Sequence, residues 1–151
     1  MAAAQCAMAS SARIRRYAWA APYTAAGLLL GALAVLFGGH WRNHLGVLEF
    51  FGGRIGAALS RLPEGLRFSA MTLGHVILAV DRSALVQLRQ HERVHVRQYE
   101  RWGPLFVPAY LLSSLLQLLR GRNPYRENHF ERQAYAAAPA RRRFEREQPR
   151  A

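Results

Sequence analysis

The sequence predicts an α+β protein: an N-terminal helix long enough to cross a membrane, then one small domain in which a short sheet leads into further helices. Three observations carry this. Residues 17–39 contain no charged side chain. Residues 47–80 hold short apolar and alternating runs separated by glycine and proline. Residues 82–102 then run without Gly or Pro up to Gly103-Pro104, and they carry His91-Glu92-Arg93-Val94-His95. At 151 residues the chain suffices for one domain with a modest core.

The membrane helix comes first. Gly27 to Phe37 is made only of Gly, Ala, Leu, Val and Phe, and the uncharged run is long enough for a hydrocarbon core of about 30 Å. A cleaved signal peptide has a shorter apolar region, so the run reads as an uncleaved helix projecting from the domain. Arg13, Arg15 and Arg16 outnumber the nearby Arg42 and Arg54, which leans toward an inside N-terminus. Residues 1–16 are then a basic N-terminal segment, 17–39 the anchor, 40–136 the domain and 137–151 a basic flexible tail.

Within the domain, Val47-Leu48-Glu49-Phe50-Phe51 reads as a short strand stopped by Gly52-Gly53, and Arg54 to Arg61 as a helical turn. Leu66 to Met71 alternates, and Gly74 to Val80 follows as a β-rich run. The next helix starts with Asp81 or Ser83 as N-cap and lasts about five turns. Pro104 to Leu119 is a second apolar run, but as helix it is only about 24 Å long, and Pro108, Ser113, Ser114 and Gln117 dilute it. The last helix begins at Asn123-Pro124 or at Asn128. Asn128 with Glu131 spells a capping box that would fold Glu131 back onto the helix start, whereas the earlier start leaves Glu131 free in mid-helix.

On a helix, residues i and i+4 share a face, so His91 and His95 can grip one metal ion, and Glu92 beside them can take a proton from water. A catalytic site needs a third protein ligand. The metzincin pattern would need a glycine where Gln98 stands and a histidine where Arg101 stands. It is therefore set aside. His91-Glu92-x-x-His95-Val96-x-Gln98 followed by Glu131-x-x-Ala134 resembles the gluzincin metallopeptidases, particularly the small single-domain and membrane-bound kinds, over roughly residues 66–136. The resemblance implies a minimal gluzincin-like domain with a small sheet, the motif helix and a glutamate-bearing helix. It implies zinc held by His91, His95 and Glu131, and hydrolysis of peptide or protein substrates with Glu92 as base. It also implies that the last strand borders the cleft, where His75 could meet substrate; an ordinary strand histidine is the competing reading. Gluzincins often carry an aspartate where Tyr135 stands, so Tyr135 either orients a histidine or donates to a substrate oxyanion. Glu127 and His129 are weaker candidates for third ligand, since His129 is two residues from Glu131 and faces elsewhere. For Glu131 to reach the histidines, Pro104 to Leu119 has to return on the same side of the membrane, packing on the domain or dipping into the bilayer surface.

Composition frames the partners. The net charge is +12, Lys is absent, and Cys6 is the lone cysteine, which excludes an intramolecular disulfide. Arg-only basic usage with abundant Ala is associated with GC-rich bacterial genomes, so the expected location is a bacterial inner membrane. The arginines form no nucleic-acid motif, although Arg89, Arg93, Arg97 and Arg101 make a stripe at helical spacing. That stripe is expected to be a solvated face or to touch anionic lipid headgroups. Two alternatives stand beside the peptidase: a zinc-binding membrane protein without turnover, and a basic membrane- or nucleic-acid-associated protein with a chance motif.

Overall fold

The computed structural model describes residues 2–62 and 68–138, with side chains from Arg16 onward. Helix α1 covers Ala2–Leu36. Strands β1 (His40–His44) and β2 (Val47–Phe51) form a hairpin, followed by the short helix α2 (Gly53–Leu59). Strands β3 (Ala70–Leu73) and β4 (Val76–Ala79) lead into helix α3 (Arg82–Trp102). A 3₁₀ turn at Gly103–Leu105 connects to α4 (Phe106–Leu119), and α5 spans His129–Ala137. The protein is α+β, and the sheet order is β1-β2-β4-β3. β2 and β4 are parallel, while β1 and β3 pair antiparallel on the two edges.

β1 is the strand that the residue pattern does not announce, because Trp41-Arg42-Asn43-His44 lacks a buried alternation. It forms through its turn. Leu45 and Gly46 both have positive φ, at 52° and 80°, the conformation of a two-residue hairpin loop whose twist matches that of the strands. Asn43 Oδ1 accepts from Gly46 N at 3.1 Å and closes the turn.

The sheet is sandwiched. Val47 and Ile77 pack with Leu85 and Val96 of α3 on one face, and Glu49 points the same way. Phe50, its neighbour on β2, faces α1, where a Cβ on Gly31 would lie only 2.5 Å from the Phe50 ring. A second core forms where Ala20 of α1 meets Tyr99, Phe106 and Phe130. Ala20, Gly27, Gly31 and Ala34 thus give α1 a face of small residues at helical spacing, and small residues let the helix lie close on the sheet. Here the structure corrects the expectation of a projecting helix. α1 begins well before Tyr17 and lies along the domain, exposing Leu28, Leu29, Leu33, Leu36 and Phe37 on its outer face.

The arginine stripe is also divided. Arg89 Nε donates to the fully buried Glu49 at 2.8 Å, with Arg42 Nε on the other oxygen at 2.6 Å. A buried carboxylate needs such partners to offset lost hydration. Arg93 reaches the His44 carbonyl at 3.2 Å. Arg97 and Arg101 alone keep the exposed position expected for the stripe. Two helical stretches, Arg16–Leu36 and Arg82–Leu119 (α3 and α4 with the 3₁₀ turn between them), are long and apolar enough by length and composition to cross a membrane. The expected tail begins inside α5, and residues 139–151 lie outside the described residues, as do Leu66 and Arg67 of the alternating stretch.

Candidate metal centre

Helix α3 is set by Asp81, whose Oδ1 accepts from Ala84 N at 2.8 Å. From that start, ten residues including Leu85, Leu88, His91, Glu92, His95 and Gln98 are buried. His91 and His95 fall one turn apart on the buried side, with their Nε2 atoms 3.1 Å from each other. Gln98 orients the second ring. Its Oε1 lies 2.8 Å from His95 Nδ1, which points His95 Nε2 toward His91, while its Nε2 donates to the Phe130 carbonyl and to Gln133 Oε1 at 3.1 Å each.

Helix α5 delivers the carboxylate. Asn128 caps it, Oδ1 accepting from Phe130 N at 2.9 Å, so the helix starts at Asn128 and not at Asn123. Glu131 does not fold back onto that start. Its Oε2 lies 3.2 Å from His91 Nε2 and its Oε1 3.3 Å from His95 Nε2. Each ring nitrogen thus lies as far from a Glu131 oxygen as two ligands of a tetrahedral metal, bonded at about 2.0–2.1 Å, lie from each other, about 3.3 Å. One ligand atom from each of the three residues lies within 4.8 Å of the other two. Glu131 Oε2 is buried and has, among the described residues, no polar partner beyond His91 Nε2, so it faces into the cluster. The buried group His91, His95 and Glu131 could therefore hold a metal ion.

The charges of the three residues are interdependent. Burial works against a charged His95, but hydrogen bonding to Glu131 and the nearby Glu92 carboxylate raise its pKa above the ordinary histidine value. Burial opposes the Glu131 carboxylate as well, yet His91 and His95 hold its pKa well below the usual range.

Glu92 is buried beside the histidines and tied to the sheet, accepting from Thr72 Oγ1 at 2.8 Å. Thr72 belongs to β3, the edge strand next to α3. The strand bordering the motif is thus β3 and not the last strand, β4, which lies inside the sheet. Tyr135 is buried with its ring centroid 5.0 Å from that of His91, edge to face. The other candidates lie apart from the cluster. His75 is buried under Tyr17, with centroids 3.9 Å apart, and pairs with Glu100 at 3.2 Å. His129 is exposed and bonded to Gln133, and Glu127 faces Arg132.

Reading the residues alone missed Thr72, the cross-helix tie of Gln98, and Tyr110, whose hydroxyl donates to Glu131 Oε1 at 2.9 Å. They stand three to twenty-one residues from the site residues they bond, and only Gln98 at His95+3 carried a helical signal. Comparison with protein-family models, curated proteins and solved structures gives no match.

Proposed function

We propose that this chain is a membrane-bound, gluzincin-like zinc metallopeptidase. The observation that carries the reading is the convergence of His91, His95 and Glu131 from two helices, with Glu92 buried beside them. Two imidazoles and a carboxylate are a donor set suited to zinc. Bound there, zinc would polarise a peptide carbonyl and acidify water. Glu92 is the general base that takes the proton of the attacking water and passes it to the leaving amine. Thr72 holds Glu92 in place for this, and Gln98 keeps the His95 Nε2 lone pair aimed inward. Tyr135 steadies His91 and is the candidate donor to the developing oxyanion. An extended peptide would pair with the free edge of β3. The apolar outer faces of α1 and α4, with Arg16 at the start of the apolar stretch of α1 and Arg120 and Arg122 just beyond the end of α4, support attachment to a membrane with anionic lipids. In keeping with the composition, that membrane is a bacterial inner membrane.

A second reading has its own observation. His91 is 0% exposed, Glu131 3% and His95 7%, and structural zinc sites are closed whereas catalytic ones keep an open position. Glu92→Gln separates the two. A peptidase loses hydrolysis of an unfolded protein substrate by about 10²-fold or more while zinc content stays as in the wild type. Zinc-loaded wild-type protein that hydrolyses nothing, or a variant as active as wild type, refutes Glu92 catalysis.

A further inference from the structure

Glu131 is gripped from a direction the motif does not foresee. Tyr110 sits one turn into α4, and its O–H donates to Glu131 Oε1 at 2.9 Å. The backbone of the same residue is held too, its carbonyl accepting from Asn128 Nδ2 at 2.9 Å. Asn128 is fully buried and also donates to Ser114 Oγ at 2.7 Å. His129 N donates to Ser113 Oγ at 3.0 Å. One face of α4 is therefore clamped to the first turn of α5, and the spacing between the Tyr110 phenol and the Glu131 carboxylate is fixed by the clamp. Phe106 and Phe130 flank the Tyr110 ring, with centroids at 6.0 and 6.2 Å.

The two oxygens of Glu131 consequently differ. Oε1 receives the phenol and lies 3.3 Å from His95 Nε2, whereas Oε2, buried, has among the described residues no polar neighbour beyond His91 Nε2 at 3.2 Å. A carboxylate with both oxygens bare can chelate an ion through the pair. One whose first oxygen shares its charge with a phenol presents the second. We propose that Tyr110 is a positioning residue that makes Glu131 a one-oxygen metal ligand through Oε2, and so keeps one coordination position open. The proposal rests on the metal reading of the triad and is independent of whether peptide bonds are cleaved.

The test loads the full chain, wild type and Tyr110→Phe, with Co²⁺ and then Zn²⁺. The visible spectrum of Co²⁺ reports coordination number, and competition with a chromogenic chelator gives affinity. The wild type is expected to show the intense absorption of a four-coordinate ion. Tyr110→Phe shows the weaker absorption of a higher coordination number, with affinity lower by about 10–100-fold. An unchanged spectrum and affinity in Tyr110→Phe overturn the proposal. If that variant does not fold, X-ray absorption of the zinc-loaded wild type decides: one carboxylate oxygen bound supports the role, and two overturn it. Wild-type protein that binds neither ion refutes the triad as a metal site and Tyr110's role with it. Normal wild-type binding with an indifferent variant refutes Tyr110 alone.

Discussion

Replacing Gln98 by alanine removes a side chain that touches both halves of the centre. In the variant, the Phe130 carbonyl loses the Nε2 donor and His95 Nδ1 loses its Oε1 partner, both in buried surroundings. Leaving a buried polar group unsatisfied costs about 1–3 kcal/mol. Gln133 is exposed and rehydrates without cost, so the total lies between about 2 and 6 kcal/mol. A loss near 3 kcal/mol lowers Tm by about 6–12 °C in a chain of this size. The freed His95 ring also rotates, and zinc affinity falls by about 10–100-fold. Thermal unfolding followed by circular dichroism, with and without zinc, measures the first effect, and chelator competition the second. Gln98→Glu divides the two roles: it keeps an acceptor for His95 and loses both donors toward α5, so stability falls while affinity is largely retained. A Gln98→Ala variant that melts within about 2 °C of wild type, with unchanged zinc affinity, would refute the tie as a structural element of the site.

Other outcomes follow from the same geometry. Gly27→Val places a Cβ 2.7 Å from Val76 Cβ and 3.0 Å from the Leu73 carbonyl, and chemical denaturation should show a loss of about 1–3 kcal/mol. Leu29→Ala on the outer face of α1, where Leu29 is 74% exposed, should change stability by no more than about 0.5 kcal/mol in detergent; equal effects at both positions would contradict the packed face. Melting of the metal-free protein should depend on pH through one coupled pair. The raised His95 contributes stability that is complete below its ordinary value of 6.5 and is lost as pH rises through its higher folded value. The depressed Glu131 contributes stability present above its ordinary value of 4.5 and lost as pH falls through its lower folded value. The metal-free protein is thus most stable on the acid side of neutrality and weakens above it. Zinc requires neutral imidazoles, so bound zinc removes the alkaline loss; a zinc-loaded protein that weakens in parallel with the metal-free one contradicts this linkage.

Local signals made much of the architecture legible before any coordinates. The Val47–Phe51 strand and the Gly103-Pro104 break each depend on a few adjacent residues and are found in place. Of the two starts the residues offer for α3 and for α5, the structure takes Asp81 over Ser83 and Asn128 over Asn123. The pairing of His91 with His95 follows from helical geometry alone. What escaped depends on distant partners. β1 is polar and exists through its turn and its cross-strand pairing of Arg42 with Glu49. The packed side of α1 is encoded by Ala20, Gly27, Gly31 and Ala34, but the uncharged stretch from Tyr17 onward offers no charged face to mark the direction of its core. Tyr110 looked like one residue of an apolar run, and only the fold brings it to Glu131 across 21 positions. Of the capping box that Asn128 and Glu131 spell, only the Asn128 half forms, because the pull of two imidazoles turns Glu131 toward the cluster.

The account rests on one metal ion shared by His91, His95 and Glu131. Elemental analysis of the purified full chain, wild type beside His95→Ala and Glu131→Gln, each refolded or expressed with zinc and dialysed against metal-free buffer, tests it directly. Circular dichroism confirms that the variants retain the helical content of the wild type. The expected result is about one zinc per wild-type chain and a clear loss in both variants. Wild-type protein that retains no zinc, or folded variants that hold as much as wild type, would contradict it.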